Sequence, residues 1–541
     1  MTASVPNLIQ HVKFLTNIGE RRAGTKQMKE AALYVADFLK SYGYEVDIMR
    51  FPMLTSEIIG EPLLLINGQP IKCKGVYFSG NAKDLEGEVV YDQDLSREDL
   101  EGKIVLTDVS YSPPRPEKAR LAKEKSALAI IYISFGSKDS EIISTGGIKY
   151  VWGNPTSKTI KEIPRIPAVT ISRKDGERIK EMIAKGKKVI ARLTIETQDR
   201  WVLSNQPVGF KGSRKKDVVV FGSPLEALGS TAIDNSAANS AMLEIARTIR
   251  PKKYDVMFVF TDGHEIAEAA GSTYVADTMW SYLKRYGVIY INVESLGARG
   301  ASRAVSYVSP SIRDFVEEVE EKYGIRAEHH NEIRIADSSF TGLGLPYYWF
   351  THIMSKRYVK AYNGATHGWW YRSEADTIEH VDFELLKSET DYLINFYGEL
   401  ERSELVGYKL SNYLKDAVKV VSSLSAEDEF VKEKLRYLHK KLRLSLISLL
   451  KVEKDKELIL KHKNIFREIR SEISSAFMTI SGKYEQDPYG SIWKDAVLPG
   501  LIASIEEYKR DKNLGATRLI REVNRISDAL ELLEAFVDLI D

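Results

Sequence analysis

A single cysteine, Cys73, stands among 541 residues, so neither a disulfide framework nor a thiolate metal cluster is available. No run of about 18 apolar residues occurs, and no membrane-spanning helix is expected. The opening stretch "MTASVPNLIQHVKFL" lacks a basic segment leading into an apolar one. No signal peptide is read there, and the expectation is a reduced, cytoplasmic protein with no membrane partner. Charge of one sign is also lacking: 77 Lys and Arg face 76 Asp and Glu, a formal net charge of +1, so nothing points to nucleic acid as the main partner. Internal repeats and low-complexity tracts are missing too. What remains is an ordinary globular composition, 43% hydrophobic and 28% charged. At roughly 150 residues per domain this length suggests three or four domains. Abundant Lys, Glu, Arg, Ile and Tyr beside one Cys would suit a thermophile.

The pattern divides the chain into blocks. Residues 8 to 42 place Tyr34, Val35, Phe38 and Leu39 at helical spacing, with Gly43 closing the helix before a strand. Residues 55–200 change to short strands ("EGEVVYD", "GKIVLTDV", "LAIIYIS", "IPAVTIS") with one helix near "RPEKARLAKEKSAL". From about 205 to 385 strands and helices alternate, which predicts an α/β fold with a mixed, largely parallel sheet flanked by helices. Residues 386–541 are helix-periodic, charged and poor in Gly, which predicts a helical domain. Its charge runs, such as "KVEKDKELILKHK", interleave acids and bases and read as a solvated helix face. The expected organisation is an α/β domain from 1–54 and 201–385, a β-rich insert over 55–200, and a helical domain over 386–541.

The chemistry concentrates at "FVFTDGHEIAEAAGS", Phe258 to Ser272, where an apolar strand runs out into Asp262, Gly263, His264 and Glu265. Ends of strands are where open α/β sheets place ligands. With "GERRAGTKQMKEAALYVADFLKSYGYEV", "LEGKIVLTDVSYSPPRPEKARLAKEKSALAIIYIS", "STAIDNSAANSAMLEIART" and "YRSEADTIEHVDFELL", the chain resembles the zinc aminopeptidase and carboxypeptidase family of clan MH. That family includes bacterial leucyl aminopeptidases, glutamate carboxypeptidase II and the transferrin receptor. The likeness covers nearly the whole chain. It implies that residues 55–200 are a protease-associated domain and that the helical end is a dimerisation domain. Apolar rows such as Leu442, Leu446, Leu449 and Leu450 would form a homodimer interface.

The resemblance also implies a site. Hydrolysis with two zincs needs His nitrogens, carboxylate oxygens, one bridging carboxylate and an unligated Glu as base. Asp234 in "AIDNS" stands where the bridging Asp belongs, Glu265 where a ligand Glu belongs, and Glu294 in "INVESLG" where the other carboxylate belongs. Pro224 and Glu226 stand in the places of His and Asp of the His-x-Asp pair. His264 takes the base position, and Arg372 replaces the final His. Two registers remain open, because one residue too many lies between Glu265 and Gly271. In the second, Glu265 falls on the base and Ile266 on the ligand.

Asp234, Glu265 and Glu294 alone are hard oxygen donors that suit magnesium, calcium or manganese better than zinc. His264 or the loop residue His367 could add a nitrogen. His329 and His330 read as a strand or turn face. Bland readings stand beside these. Asp262 and Glu265 could cap the following helix. Gly368 to Tyr371, "GWWY", could pack against the insert instead of stacking on substrate. Arg372 could be an exposed loop residue, or a built-in cation among three acids whose burial would otherwise be costly. Two functions follow. One is a non-catalytic or very weakly active binding or scaffold protein, for a peptide or protein ligand, with no cofactor. The other is a metallo-exopeptidase using zinc or another divalent metal at an atypical or single-metal site, with His264 or Glu265 as base.

Overall fold

A computed structural model describes residues 2–490 and 497–540. The strands Val218–Pro224, Asp255–Thr261 and Gly287–Asn292 are buried along their whole length. Such runs belong in the middle of a sheet covered on both faces. Their side chains alternate: Val256, Phe258 and Phe260 enter one core, and Met257 and Val259 the other. The first core is closed by helices Val5–Ile18, Lys26–Ser41, Ala237–Thr248 and Phe383–Arg402. Thr25 caps the second of these by accepting from the Met28 amide, and Gly43, at φ +80°, lets the chain turn back beyond its end.

The sheet has eight strands in the order 45–49, 206–211, 255–261, 218–224, 287–292, 347–353, 303–308, 328–331. Four of its seven pairings are parallel, and the antiparallel ones lie toward the edges. The fold is therefore mixed α/β. A second eight-stranded sheet, spanning Leu63 to Ile195, forms the insert. The chain enters and leaves it through an antiparallel ribbon, Pro52–Ile58 against Thr197–Leu203. The last helices, from Ser411–Ser423 to Lys512–Ile540, enclose a separate core. Among the described residues no helix is long and apolar enough to cross a membrane.

Two expectations need correction. A boundary at 386 would cut the helix Phe383–Arg402, whose Leu386, Leu393, Phe396 and Leu400 pack in the α/β core. Helical periodicity marks a buried face but not the domain that face belongs to. Of the row proposed as an interface, two members are internal, Leu446 is half-buried and Leu450 is exposed. Leu442 and Leu449 are fully buried within their own bundle, whereas Leu444, Ile447 and Leu450 of the same helix are 55%, 54% and 37% exposed. Leu442→Ala should therefore cost about 2–5 kcal/mol in urea denaturation. Leu444→Ser should stay within about 0.5 kcal/mol of the parent.

Candidate functional site

The carboxyl ends of the central strands deliver the acids. Strand Val218–Pro224 leads to Glu226, strand Asp255–Thr261 to Asp262, His264 and Glu265, and strand Gly287–Asn292 to Glu294. Asp234 comes from the turn ahead of helix Ala237–Thr248, where Thr231 has φ +69° and the Asp234–Asn235 peptide is cis. Asp234 itself is fully buried.

Glu226 orders the loop that carries Glu265. One carboxylate oxygen accepts from the Glu265 amide at 2.7 Å, and the other from the Ala23 amide at 3.0 Å. Burial and nearby Asp262 push Glu226 up to about 7. Gly263, at φ +73°, is required here, because a Cβ would lie 2.0 Å from the Met53 sulfur. The helix after this loop starts only at Ala270, so Asp262 and Glu265 do not cap it. Asp262 instead accepts from the Asn205 amide at 2.7 Å. The insert's Lys149 Nζ donates to the Ala267 carbonyl at 2.6 Å.

Arg372 is drawn in among the acids. Its Nη2 lies 2.7 Å from Glu265 Oε2, and its Nε lies 3.3 Å from Asp234 Oδ2. The residue has φ +56°, and its carbonyl accepts from both the amide and the hydroxyl of the insert's Thr145, at 2.9 and 3.0 Å. His264 forms the second cationic position. Its Nδ1 lies 3.1 Å from Asp337 Oδ1 and its Nε2 3.4 Å from Glu294 Oε1. Burial favours the neutral ring, but Glu294 and Asp337 outweigh it and hold the imidazole well above its ordinary pKa. Burial likewise opposes charge on Glu294, yet His264 keeps it below the usual carboxylate range. Asp234 goes the other way, pushed up to about 7 by burial and by Glu265.

The structure thus brings together Asp234, His264, Glu265, Glu294 and Arg372. Pro224 ends its strand in the core, its carbonyl accepting from Asn239 at 2.9 Å. His367 lines the same cleft; burial pushes its pKa down to about 4, and its Nδ1 has no hydrogen-bond partner among the described residues. His329 is elsewhere, tied to Glu320, and His330 stacks on Tyr307. The aromatic run "GWWY" is placed by Trp370, which lies in the α/β core, stacked on His380 at 3.8 Å. Among the described residues no group of three or more His, Cys, Asp or Glu side chains is arranged to hold a metal ion.

The cleft measures ≈ 340 Å³ and all three parts of the chain wall it. Val109, Pro114, Arg115, Gly147 and Trp152 come from the insert, and Tyr489 from the C-terminal part. Tyr489 is anchored by its amide, which donates to the Tyr150 carbonyl at 2.7 Å. Asp337, Glu268 and Tyr489 carried no signal in the sequence, being single residues in irregular segments, and Arg115 begins the helix Arg115–Glu124, whose sequence offers no motif that marks it.

This fold, an α/β sheet with its ligand cleft at the strand ends and a second domain roofing it, is that of the zinc exopeptidases. Residues 208–397 match the model of peptidase family M28, and residues 71–179, within the insert, match that of the PA domain. It is 26% identical over 307 residues to Aminopeptidase YwaD of Bacillus subtilis, covering 54% of this chain and 62% of that protein's length. The fold is similar to an aminopeptidase from Aneurinibacillus sp. strain AM-1 (TM-score 0.56, 20% identity, 74% of this chain and 94% of that one). It is similar as well to BSAP, a zinc aminopeptidase from Bacillus subtilis (TM-score 0.56, 21% identity, 76% and 97%).

Arg372→Ala would leave Asp234 and Glu265 buried without their cation. It should lower stability by about 3–5 kcal/mol in chemical denaturation. A pH test concerns Asp376, which accepts the Ile233 and Asp234 amides, each at 3.0 Å. Burial raises it to about 8, with Asp234 adding to the effect. Between its unfolded pKa, about 4, and this folded value, the folded state keeps a proton that the unfolded chain has lost. Asp376 therefore makes stability fall as pH rises through that window. Asp376→Asn should remove this contribution, so the gap between variant and parent midpoints should shift in the variant's favour from pH 5 to pH 8. An unchanged gap would contradict the assignment.

Proposed function

We propose that this chain uses a zinc-aminopeptidase-like fold to bind a short peptide ligand, with hydrolysis absent or very slow. The observation that carries this reading is the Arg372 guanidinium lying against both Asp234 and Glu265. Arg372 stands where the resemblance puts a ligand histidine, and His264, at the base position, is already held between Glu294 and Asp337. As placed, this donor set does not fit a zinc ion: two carboxylates are occupied by a fixed cation, and Pro224 offers no side-chain donor. Loss of a general base alone costs about 10²- to 10⁴-fold. On this reading the protein works as a cytoplasmic homodimer, its contact formed by the outward side of the C-terminal bundle around Leu444 and Ile447.

The second reading is a metal-dependent aminopeptidase with an atypical or single-metal centre. It draws on the similarity to aminopeptidases, on the surviving Asp234, Glu265 and Glu294, and on His367 facing the cleft without a partner for Nδ1. One experiment separates them. Purified protein is assayed for bound metal, then for hydrolysis of amino-acid anilides with zinc, cobalt or manganese added back. The binding reading expects substoichiometric metal and turnover far below the usual enzyme median of about 10 per second. Stoichiometric zinc with chelator-sensitive turnover near that median would overturn it. Arg372→His should raise zinc affinity, since it returns an imidazole to the two carboxylates.

A further inference from the structure

The charges inside the cleft leave a remainder. Arg372 is matched with Glu265 and Asp234, and His264 with Glu294 and Asp337. Two further ionic side chains line the same cavity with no such match: Arg115 from the insert and Glu268 from the loop after Glu265. They are only 9% and 7% exposed. Among the described residues the Arg115 guanidinium makes no ion pair, and its Nε has no hydrogen-bond partner. The Glu268 carboxyl likewise makes no direct ion pair or hydrogen bond there; burial pushes it up to about 7 against the opposing pull of Lys149, Arg372, His264 and Arg115 through space. A buried ionic group without an ion-pair partner is costly, and here a guanidinium set over the Tyr132 ring at 5.8 Å and a carboxyl share one cavity.

The local backbone leaves space for the guanidinium and runs beside the carboxyl. A Cβ at Gly146 would lie 1.5 Å from Arg115 Nη1, so only a glycine admits the guanidinium at that point. At the next residue, a Cβ on Gly147 would lie 3.7 Å from Glu268 Oε1. The two groups thus flank adjacent glycines whose Cα atoms are about 3.8 Å apart, close to one another but not in contact.

We infer that Glu268 and Arg115 form a receptor for a zwitterion, so that the cleft takes a free α-amino acid, its ammonium on Glu268 and its carboxylate on Arg115. This rests on the non-hydrolytic reading above and narrows its ligand class from short peptides to single amino acids. Arginine offers a carboxylate a planar, two-pronged set of donors. The carboxylate of Glu268 offers the ammonium a charge-assisted acceptor. Trp349 and Tyr307, stacked with centroids 5.0 Å apart, give the same cleft an aromatic wall for the ligand's side chain.

The test is calorimetric titration of chelator-treated protein with L-leucine, L-phenylalanine and L-glutamate, each compared with its amide and its N-acetyl form. At least one free amino acid should bind, and removing either charge should weaken it by about tenfold or more. Glu268→Gln should abolish the preference for the free ammonium over the N-acetyl form and keep that for carboxylate over amide. Arg115→Gln should do the reverse. A variant that merely unfolds would lose all binding and not one discrimination, and the ligand series decides the matter with the unmutated chain alone. If no amino acid binds, or if the amide and N-acetyl forms bind as well as the free one, the inference is wrong. Binding of L-leucyl-glycine in the absence of any amino-acid binding would leave the peptide-binding reading standing and overturn this one. Rapid metal-dependent cleavage of that dipeptide would overturn the reading of function, while the titration still decides the zwitterion receptor.

Discussion

The structure at the strand ends depends on one constraint: four acids, Asp234, Glu265, Glu294 and Asp337, converge in a space that water hardly enters. Burying that much negative charge without compensation would cost more than a domain's entire stability. The chain supplies its own cations, Arg372 and His264, each placed between two of the acids. The surroundings serve that placement. Thr145 fixes the Arg372 backbone, Ser272 and Thr261 donate to Asp337, and Asn292 donates to Glu294. Glu226, in the core, holds the loop that presents both His264 and Glu265.

The same constraint explains why three parts of the chain meet at one cavity. A sheet end alone would leave these charges open to solvent. The insert contributes Thr145 to hold Arg372, Lys149 to hold the 262–269 loop, and Trp152, whose indole donates to Ser339 at 2.9 Å across the cleft. The C-terminal part contributes Tyr489, bonded to the insert, and Gln486, which donates to the Ser339 carbonyl at 2.9 Å. The two flanking parts are thereby bonded both to the α/β domain and to each other at the cleft mouth. Closure of the site and cohesion of the domains are one set of contacts.

Much of this was legible in the sequence, for identifiable reasons. Apolar runs such as "DVVVFG" and "YDVMFVFT" mark strands covered on both faces, and the acids after them mark the site, because chain direction in a parallel sheet fixes which end the loops occupy. Arg372 could be singled out as a cation among the acids because a motif surrounded it, and it lies against Asp234 and Glu265. Asp337 was not: it lies in an irregular segment far from the strand ends in sequence, and only the tertiary fold carries it to His264. The helix Phe383–Arg402 was assigned to the wrong domain because amphipathic periodicity records that a face is buried and says nothing of the partner. For the same reason Leu442 and Leu449, read as an interface, prove to be the bundle's own core.

On the proposed reading an arginine stands where the resemblance implies a histidine, and this bears on chemistry through what each group can do. A metal ion bound by imidazole and carboxylates keeps an open position and lowers the pKa of the water that fills it. A guanidinium has only fixed N–H donors, stays charged at every physiological pH, and has no open position. It can satisfy the same carboxylates without activating anything between them. On the proposed reading, Arg372 and His264 each hold two of the inherited acids from within, offsetting two of the four charges and occupying the carboxylates that would otherwise face a ligand. Recognition then falls to the charges left over, and these are Arg115 and Glu268. Neither stands at a position where the family motif would place a metal ligand, and Gly146 leaves the Arg115 guanidinium room. A cleft arranged in this way selects its ligand by the spacing of two opposite charges, which a free amino acid carries on a single carbon atom.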